Sequence, residues 1–158
     1  TTAALGLAVR AAGHNLSTLI VQFIKCDETT GELAVLRRLA EVEIRQVGLG
    51  FVPPPSSPRF AEHQRAAARG LELASAALTA GKHRVIILDE ICTAVARNLL
   101  TEDEVVAAIG KTAPDTVVVL TGRGAGPGLI NLADTVTEMR LVKHGFQAGR
   151  PAQKGVEF

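Results

Sequence analysis

Tryptophan and tyrosine are absent from this chain, and five phenylalanines are its only aromatic residues. Its core must therefore be built from aliphatic side chains. Cysteine is scarce too. Cys26 and Cys92 stand far apart with no C-x-x-C spacing, which excludes a disulfide framework or a zinc site and fits a reducing, cytoplasmic setting. Charge of neither sign prevails: 17 basic against 16 acidic residues give a net +1. A nucleic-acid partner, which needs a concentrated basic patch, is not expected. No apolar run approaches the roughly 20 residues of a membrane span, and no signal-peptide pattern is visible. The histidines His14, His63, His83 and His144 lack metal-ligand spacing, and no Ser/His/Asp or Cys/His arrangement can be assembled. The opening Thr1-Thr2-Ala3-Ala4-Leu5-Gly6 carries no initiator methionine and is already in helical register. The expectation is that the start of the domain is missing before residue 1.

What is present suits one globular domain. The chain has 158 residues, 47 % hydrophobic, with a mean hydropathy of +0.23, ample for one core. Residues 2–13 read as a helix ended by Gly13. Residues 18–25 (TLIVQFIK) form an apolar run expected to be a buried strand. A short amphipathic helix over 31–40 and a weaker strand over 43–47 follow. The segment 48–58 holds four prolines, Pro53, Pro54, Pro55 and Pro58. It is therefore a long loop, a place where function often resides. An alanine-rich helix over 59–79 ends at Gly81. Residues 84–90 (RVIILDE) and 116–121 (TVVVLT) read as two further buried strands. Between them lies a helix over 102–110, with Thr101 and Glu104 at capping-box spacing. One or two helical turns over 126–133 and a last strand over 135–142 complete the pattern.

Strands alternating with helices predict an α/β fold with a mostly parallel sheet. Polar residues gather just after the strands: Lys25, Asp89 with Glu90, and Thr121 with Arg123. In such sheets ligands bind at the carboxyl ends of the strands, so these residues predict one shared site. Each also has a plainer reading. Asp89 and Glu90 after four buried apolar residues have the form of a Walker B strand, whose carboxylates hold a magnesium ion bound to phosphates. They would equally serve as solvated acids at a strand end. Arg123 offers a planar fork suited to phosphate oxygens, or is a surface arginine on a glycine turn. Lys25 is a phosphate or ribose contact, or a strand-end cation. Thr1 would be the magnesium-binding hydroxyl if a Gly-Lys pair preceded it; otherwise it only caps a helix. Phe51 in the proline loop is either a local anchor or a ligand contact.

Taken in order, these segments resemble the P-loop ATP:corrinoid adenosyltransferase family. TTAALGLAVRAAGH is similar to the helix after that family's P-loop, VQFIK to its second strand, and VIILDEI to its Walker B strand. VVLTGRGAGPGLINLADTVTEMRLVKHGFQAGRPAQKGVEF resembles its C-terminal third. The resemblance implies a RecA-like P-loop fold, with the mostly parallel central sheet flanked by helices. The first strand and P-loop would precede residue 1. It also implies transfer of the adenosyl group of ATP to the Co(I) of a corrinoid with release of triphosphate. Mg²⁺, a flavoprotein reductant and a homodimer belong to the same expectation. Residue by residue, Thr1 falls on the magnesium-binding threonine and Thr2 beside the phosphates. Arg10 falls on a helix arginine near the nucleotide. Asp89 and Glu90 fall on the Walker B pair, and Phe51 on the loop aromatic that faces the corrin ring. Lys25, Thr121 and Arg123 are further candidates for the nucleotide. Some members carry Trp two residues after the loop Phe, where this chain has Pro53. A generic P-loop ATPase or kinase, and a non-catalytic corrinoid-binding relative, are the alternatives.

Overall fold

A computed structural model describes residues 1–156. Four strands, β1 (Thr18–Gln22), β2 (Val42–Gln46), β3 (Val85–Asp89) and β4 (Val117–Leu120), form one sheet in the order β2-β1-β3-β4. Every neighbouring pair is parallel. Helices α1 (Thr2–Ala12), α2 (Gly31–Leu36), α3 (Phe60–Ala80), α4 (Ile91–Ala96), α5 (Glu102–Ile109) and α6 (Pro127–Leu132) cover it, and a 3-10 turn spans Gly145–Ala148. This is the expected RecA-like α/β architecture.

Alternation along the strands divides the core between the two faces. Ile20 and Ile87 turn to one face, where they pack with Ala4, Leu5, Ala8 and Ala11 of α1 and Leu36 of α2. Leu19, Val21, Ile86 and Leu88 turn to the other, against Ala67, Ala74 and Leu78 of α3 and Val105 of α5. Both β1 and β3 are buried along their whole length, which is why they read as continuous apolar runs. Each fully buried Leu or Ile contributes about 1.5–3 kcal/mol relative to an exposed one.

Several expectations need correction. Segment 116–121 forms a strand but not a buried one: Val117 is exposed and Val118 to Leu120 are half-buried. β4 has a neighbour on one side only, so its apolar run reflects an edge left uncovered among the described residues. The strand expected over 135–142 has no regular structure, and Val136, Met139, Leu141 and Val142 are exposed. A strand exists only with a partner, and no described strand lies alongside this segment. Helix α4 was not foreseen; its six residues lack a polar face. Gly13 does end α1, as expected, but in a right-handed conformation, and Asn15 makes the left-handed turn that follows (φ 56°). Gly81, by contrast, ends α3 in the left-handed conformation, as glycine does at a helix end.

Candidate active site at the carboxyl edge of the sheet

The parallel register places Gln46, Gln22 and Asp89 in one row across the ends of β2, β1 and β3. Hydrogen bonds run along that row. Gln46 Nε2 donates to Gln22 Oε1 at 2.9 Å, and Gln22 Nε2 donates to Asp89 Oδ2 at 3.0 Å. From the other side Thr121 Oγ1 donates to Asp89 Oδ1 at 2.8 Å. Asp89 is fully buried, and both of its oxygens are held. Lys25 Nζ is 4.0 Å from Asp89 Oδ2 and 3.2 Å from Glu32 Oε1.

Glu90 follows with φ +63°, a left-handed conformation that costs a non-glycine residue about 1–3 kcal/mol. Its surroundings hold it there. The Glu90 backbone N–H donates to Thr121 Oγ1 at 2.9 Å. Thr93 Oγ1 donates to Glu90 Oε2, and Thr1 Oγ1 lies 3.5 Å from Oε1, at the outer limit of a hydrogen bond. The half-buried Glu90 carboxylate is therefore held between Thr93 and Thr1 at this edge, while Asp89 is fully buried.

Thr1 caps α1, whose N-terminus points at this edge; the Thr1 backbone nitrogen is 3.8 Å from Asp89 Oδ1. An exposed helix N-terminus favours anions. The N-terminus of α6, in contrast, is occupied: Leu129 N–H donates to Glu102 Oε1 at 3.0 Å. Gly122 has φ +134°, and a Cβ there would stand 2.6 Å from Thr93 N. The turn 121–123 can close on α4 only because this residue is glycine.

Thr1, Lys25, Asp89, Glu90 and Thr121 thus share one edge. Thr2 begins α1, exposed, and the Arg123 side chain is exposed on the turn. Arg10 lies in the last turn of α1. At 1.5 Å per residue that is roughly 13 Å along the axis from Thr1, so Arg10 is not brought to the Asp89 cluster. Phe51 is 88 % exposed. Its loop is fastened to the end of β1 by Gly48 N–H to Gln22 O at 3.2 Å and Gly50 N–H to Ile24 O at 2.8 Å.

Reading the sequence alone missed Gln22, Gln46 and Thr93. Gln22 carried a signal, being the one polar residue inside the apolar run TLIVQFI. Thr93 stands three residues after Glu90, a spacing that matters only once α4 is known to be a helix.

The donors at this edge suit magnesium. They are hard oxygens, and no group of three or more His, Cys, Asp or Glu residues able to hold a metal exists among the described residues. Mg²⁺ needs no such cage, because it keeps waters and takes ligands from phosphates.

Comparison with known proteins agrees with this geometry. The sequence model of the ATP:corrinoid adenosyltransferases BtuR/CobO/CobP matches residues 1–158. The chain belongs to this family. A corrinoid adenosyltransferase of Pseudomonas aeruginosa is 42 % identical, covering 99 % of this chain and 77 % of the relative. One from Escherichia coli K12 is 37 % identical, over 100 % of this chain and 79 % of the relative. Corrinoid adenosyltransferase CobA of Salmonella typhimurium is 35 % identical over the same shares. Membership makes the chain an alkyl-group transferase that adenosylates precursors of cobalamin. No helix among the described residues is long and apolar enough to cross a membrane.

Proposed function

We propose that this edge binds Mg·ATP with its triphosphate against the N-terminus of α1 and its C5′ open to a reduced corrinoid. Co(I) supplies the electron pair that forms the cobalt–carbon bond. The C5′–O bond breaks, and triphosphate leaves with the electron pair of that bond. Bound Mg²⁺ would offset negative charge gathering on the leaving group. Glu90 and the Thr1 hydroxyl would hold it, with Asp89 fixed behind them. Lys25 and Arg123 add positive charge, Thr2 lies beside the phosphates, and Thr121 sets the carboxylates. Preorganised groups of this kind lower the barrier because they need not reorient during the reaction. Phe51 packs on the corrin ring, where an apolar surface excludes water and a further cobalt ligand. Arg10, in the last turn of α1, would meet the nucleotide away from the phosphates. The observation that carries this reading is the Glu90 carboxylate held beside the N-terminus of α1.

The proposal includes a phosphate-binding loop immediately before Thr1, entered from a further strand. Chain handedness supports a position for that strand. Helix α2 lies on the same face as α1, and the β1–α2–β2 connection steps from β1 outward to β2. Right-handed crossovers are close to universal. A strand that feeds β1 through α1 must then come from the opposite side, that of β3 and β4. The free place on that side is the outer edge of β4, which is aliphatic and half-exposed. A flavoprotein supplying the electron, a homodimer and a cytoplasmic location complete the proposal.

An anaerobic assay with chemically reduced cob(I)alamin and Mg·ATP tests it. Light-sensitive adenosylcorrinoid and triphosphate should form one to one. ATP hydrolysed to ADP without a cobalt–carbon product would mean an ATPase. Neither product nor nucleotide binding would mean a non-catalytic relative.

A further inference from the structure

The Thr93 hydroxyl sits between the two halves of the proposed site. It accepts the Arg123 backbone N–H at 2.9 Å and donates to Glu90 Oε2. Its direction is settled by chemistry. An amide N–H can only donate, so the threonine oxygen must accept there and its single proton is left for the carboxylate. Thr121 does the same one layer below. It accepts the Glu90 N–H and donates to Asp89. The two threonines cross-link the end of β3 to the end of β4. Without a side chain, Gly122 lets the turn approach; a Cβ there would stand 2.9 Å from Thr93 Oγ1. Thr93 itself is half-buried on α4, between buried Cys92 and Ala94.

We propose that Thr93 is a positioning residue, which sets the Glu90 carboxylate and the Arg123 turn as one unit. This rests on the reading of Glu90 as a magnesium-side carboxylate. Without the hydroxyl, Glu90 Oε2 loses a donor and the Arg123 amide loses its acceptor. The carboxylate is then free to rotate, and the turn that carries the arginine is no longer tied to it. Outer partners that orient a metal-side carboxylate typically control metal affinity by about 10–100-fold.

The test uses the full chain with Thr93→Val, which keeps the volume and removes the hydroxyl, and with Thr93→Ser, which restores it. Mn²⁺ serves as the probe, its affinity in the presence of ATP read by electron paramagnetic resonance. Thr93→Val should weaken Mn²⁺ by about tenfold, and Thr93→Ser should stay within about threefold of the parent. Placed on Glu90→Gln, Thr93→Val should add less than about twofold, because the charged carboxylate that the hydroxyl positions is already gone. Where Glu90→Gln itself weakens Mn²⁺, parent-like Mn²⁺ affinity in Thr93→Val, no rescue by serine, or a full second loss on top of Glu90→Gln would each overturn the proposal. If Glu90→Gln alone keeps parent affinity, the magnesium reading of Glu90 fails. The Thr93–Glu90 coupling is then decided from kcat/KM for ATP: non-additive losses keep the proposal, additive ones sink it.

Discussion

Gln22 and Asp89 face each other across β1 and β3, and Gln22 Nε2 donates to Asp89 Oδ2 at 3.0 Å in a fully buried pair. The contact is needed because a buried acceptor without a donor costs about 1–3 kcal/mol. Gln22→Leu removes that donor and leaves Lys25 Nζ at 4.0 Å from Oδ2. The expected result is a fall in Tm of about 2–12 °C, at the roughly 2–4 °C per kcal/mol usual for domains of this size. Thermal unfolding of Gln22→Leu beside Gln22→Glu checks it. An unchanged Tm in the leucine variant would mean that Asp89 does not depend on this donor.

The loop before Phe51 separates stability from function. A Cβ on Gly48 would stand 2.2 Å from the Ile24 carbonyl carbon, a clash with backbone that no rotamer relieves. Gly48→Ala should cost about 1–3 kcal/mol by overpacking and unseat the loop. Phe51→Ala removes a side chain that touches little, so its stability should stay within about 0.5 kcal/mol of the parent. If Phe51 faces the corrinoid, its loss should fall on corrinoid binding and reduction while the KM for ATP holds. Parent activity of Phe51→Ala with Co(II) substrate would remove Phe51 from the site.

The capping box of α5 supplies a pH-dependent increment. Glu104 Oε2 accepts from the Thr101 N–H and from its hydroxyl, both at 2.7 Å. These bonds hold the Glu104 carboxyl below its ordinary range. A lowered folded-state pKa stabilises above the unfolded value, and that stability is lost as pH falls through the folded one. Thr101→Ala should therefore cost about 1 kcal/mol at neutral pH. The gap between parent and variant should narrow below about pH 4, where the unfolded carboxyl titrates. Urea titrations at pH 7 and pH 3 measure it; a gap that widens on acidification contradicts the sign.

Local rules made much of this legible in the sequence. The strands β1 and β3 showed as apolar runs because both faces are covered, and α5 showed through its own cap. The carboxylates were legible because they end such a run. What escaped depends on contacts between distant segments. Val117 to Leu120 have the composition of a central strand, and only the sheet order reveals them as an edge. Residues 135–142 carry strand-like alternation, but a strand also needs a neighbour. Gln22 looked like an irregularity in an apolar run until the register set it opposite Asp89. Thr93 was hidden because α4 is too short for its periodicity to show.

The two thiols should differ sharply in reactivity. Burial pushes the Cys92 thiol up, and the nearby Glu90 and Glu102 charges add to the effect. Cys26 is exposed in the segment that follows β1, beside the Phe51 loop. The thiolate is the reactive form, so a water-soluble disulfide reagent at pH 8 should modify Cys26 quickly and leave Cys92 intact until the protein unfolds. One thiol per chain should react in the native state and two in denaturant. Cys92 N–H donates to Thr121 O at 3.1 Å, so an opening that parts α4 from the end of β4 bares the Cys92 thiol. The slow labelling rate of Cys92 therefore reports on the integrity of the carboxylate site, and Thr121→Val should raise it. A Cys92 that reacts as fast as Cys26 in the native protein would contradict both its burial and this coupling.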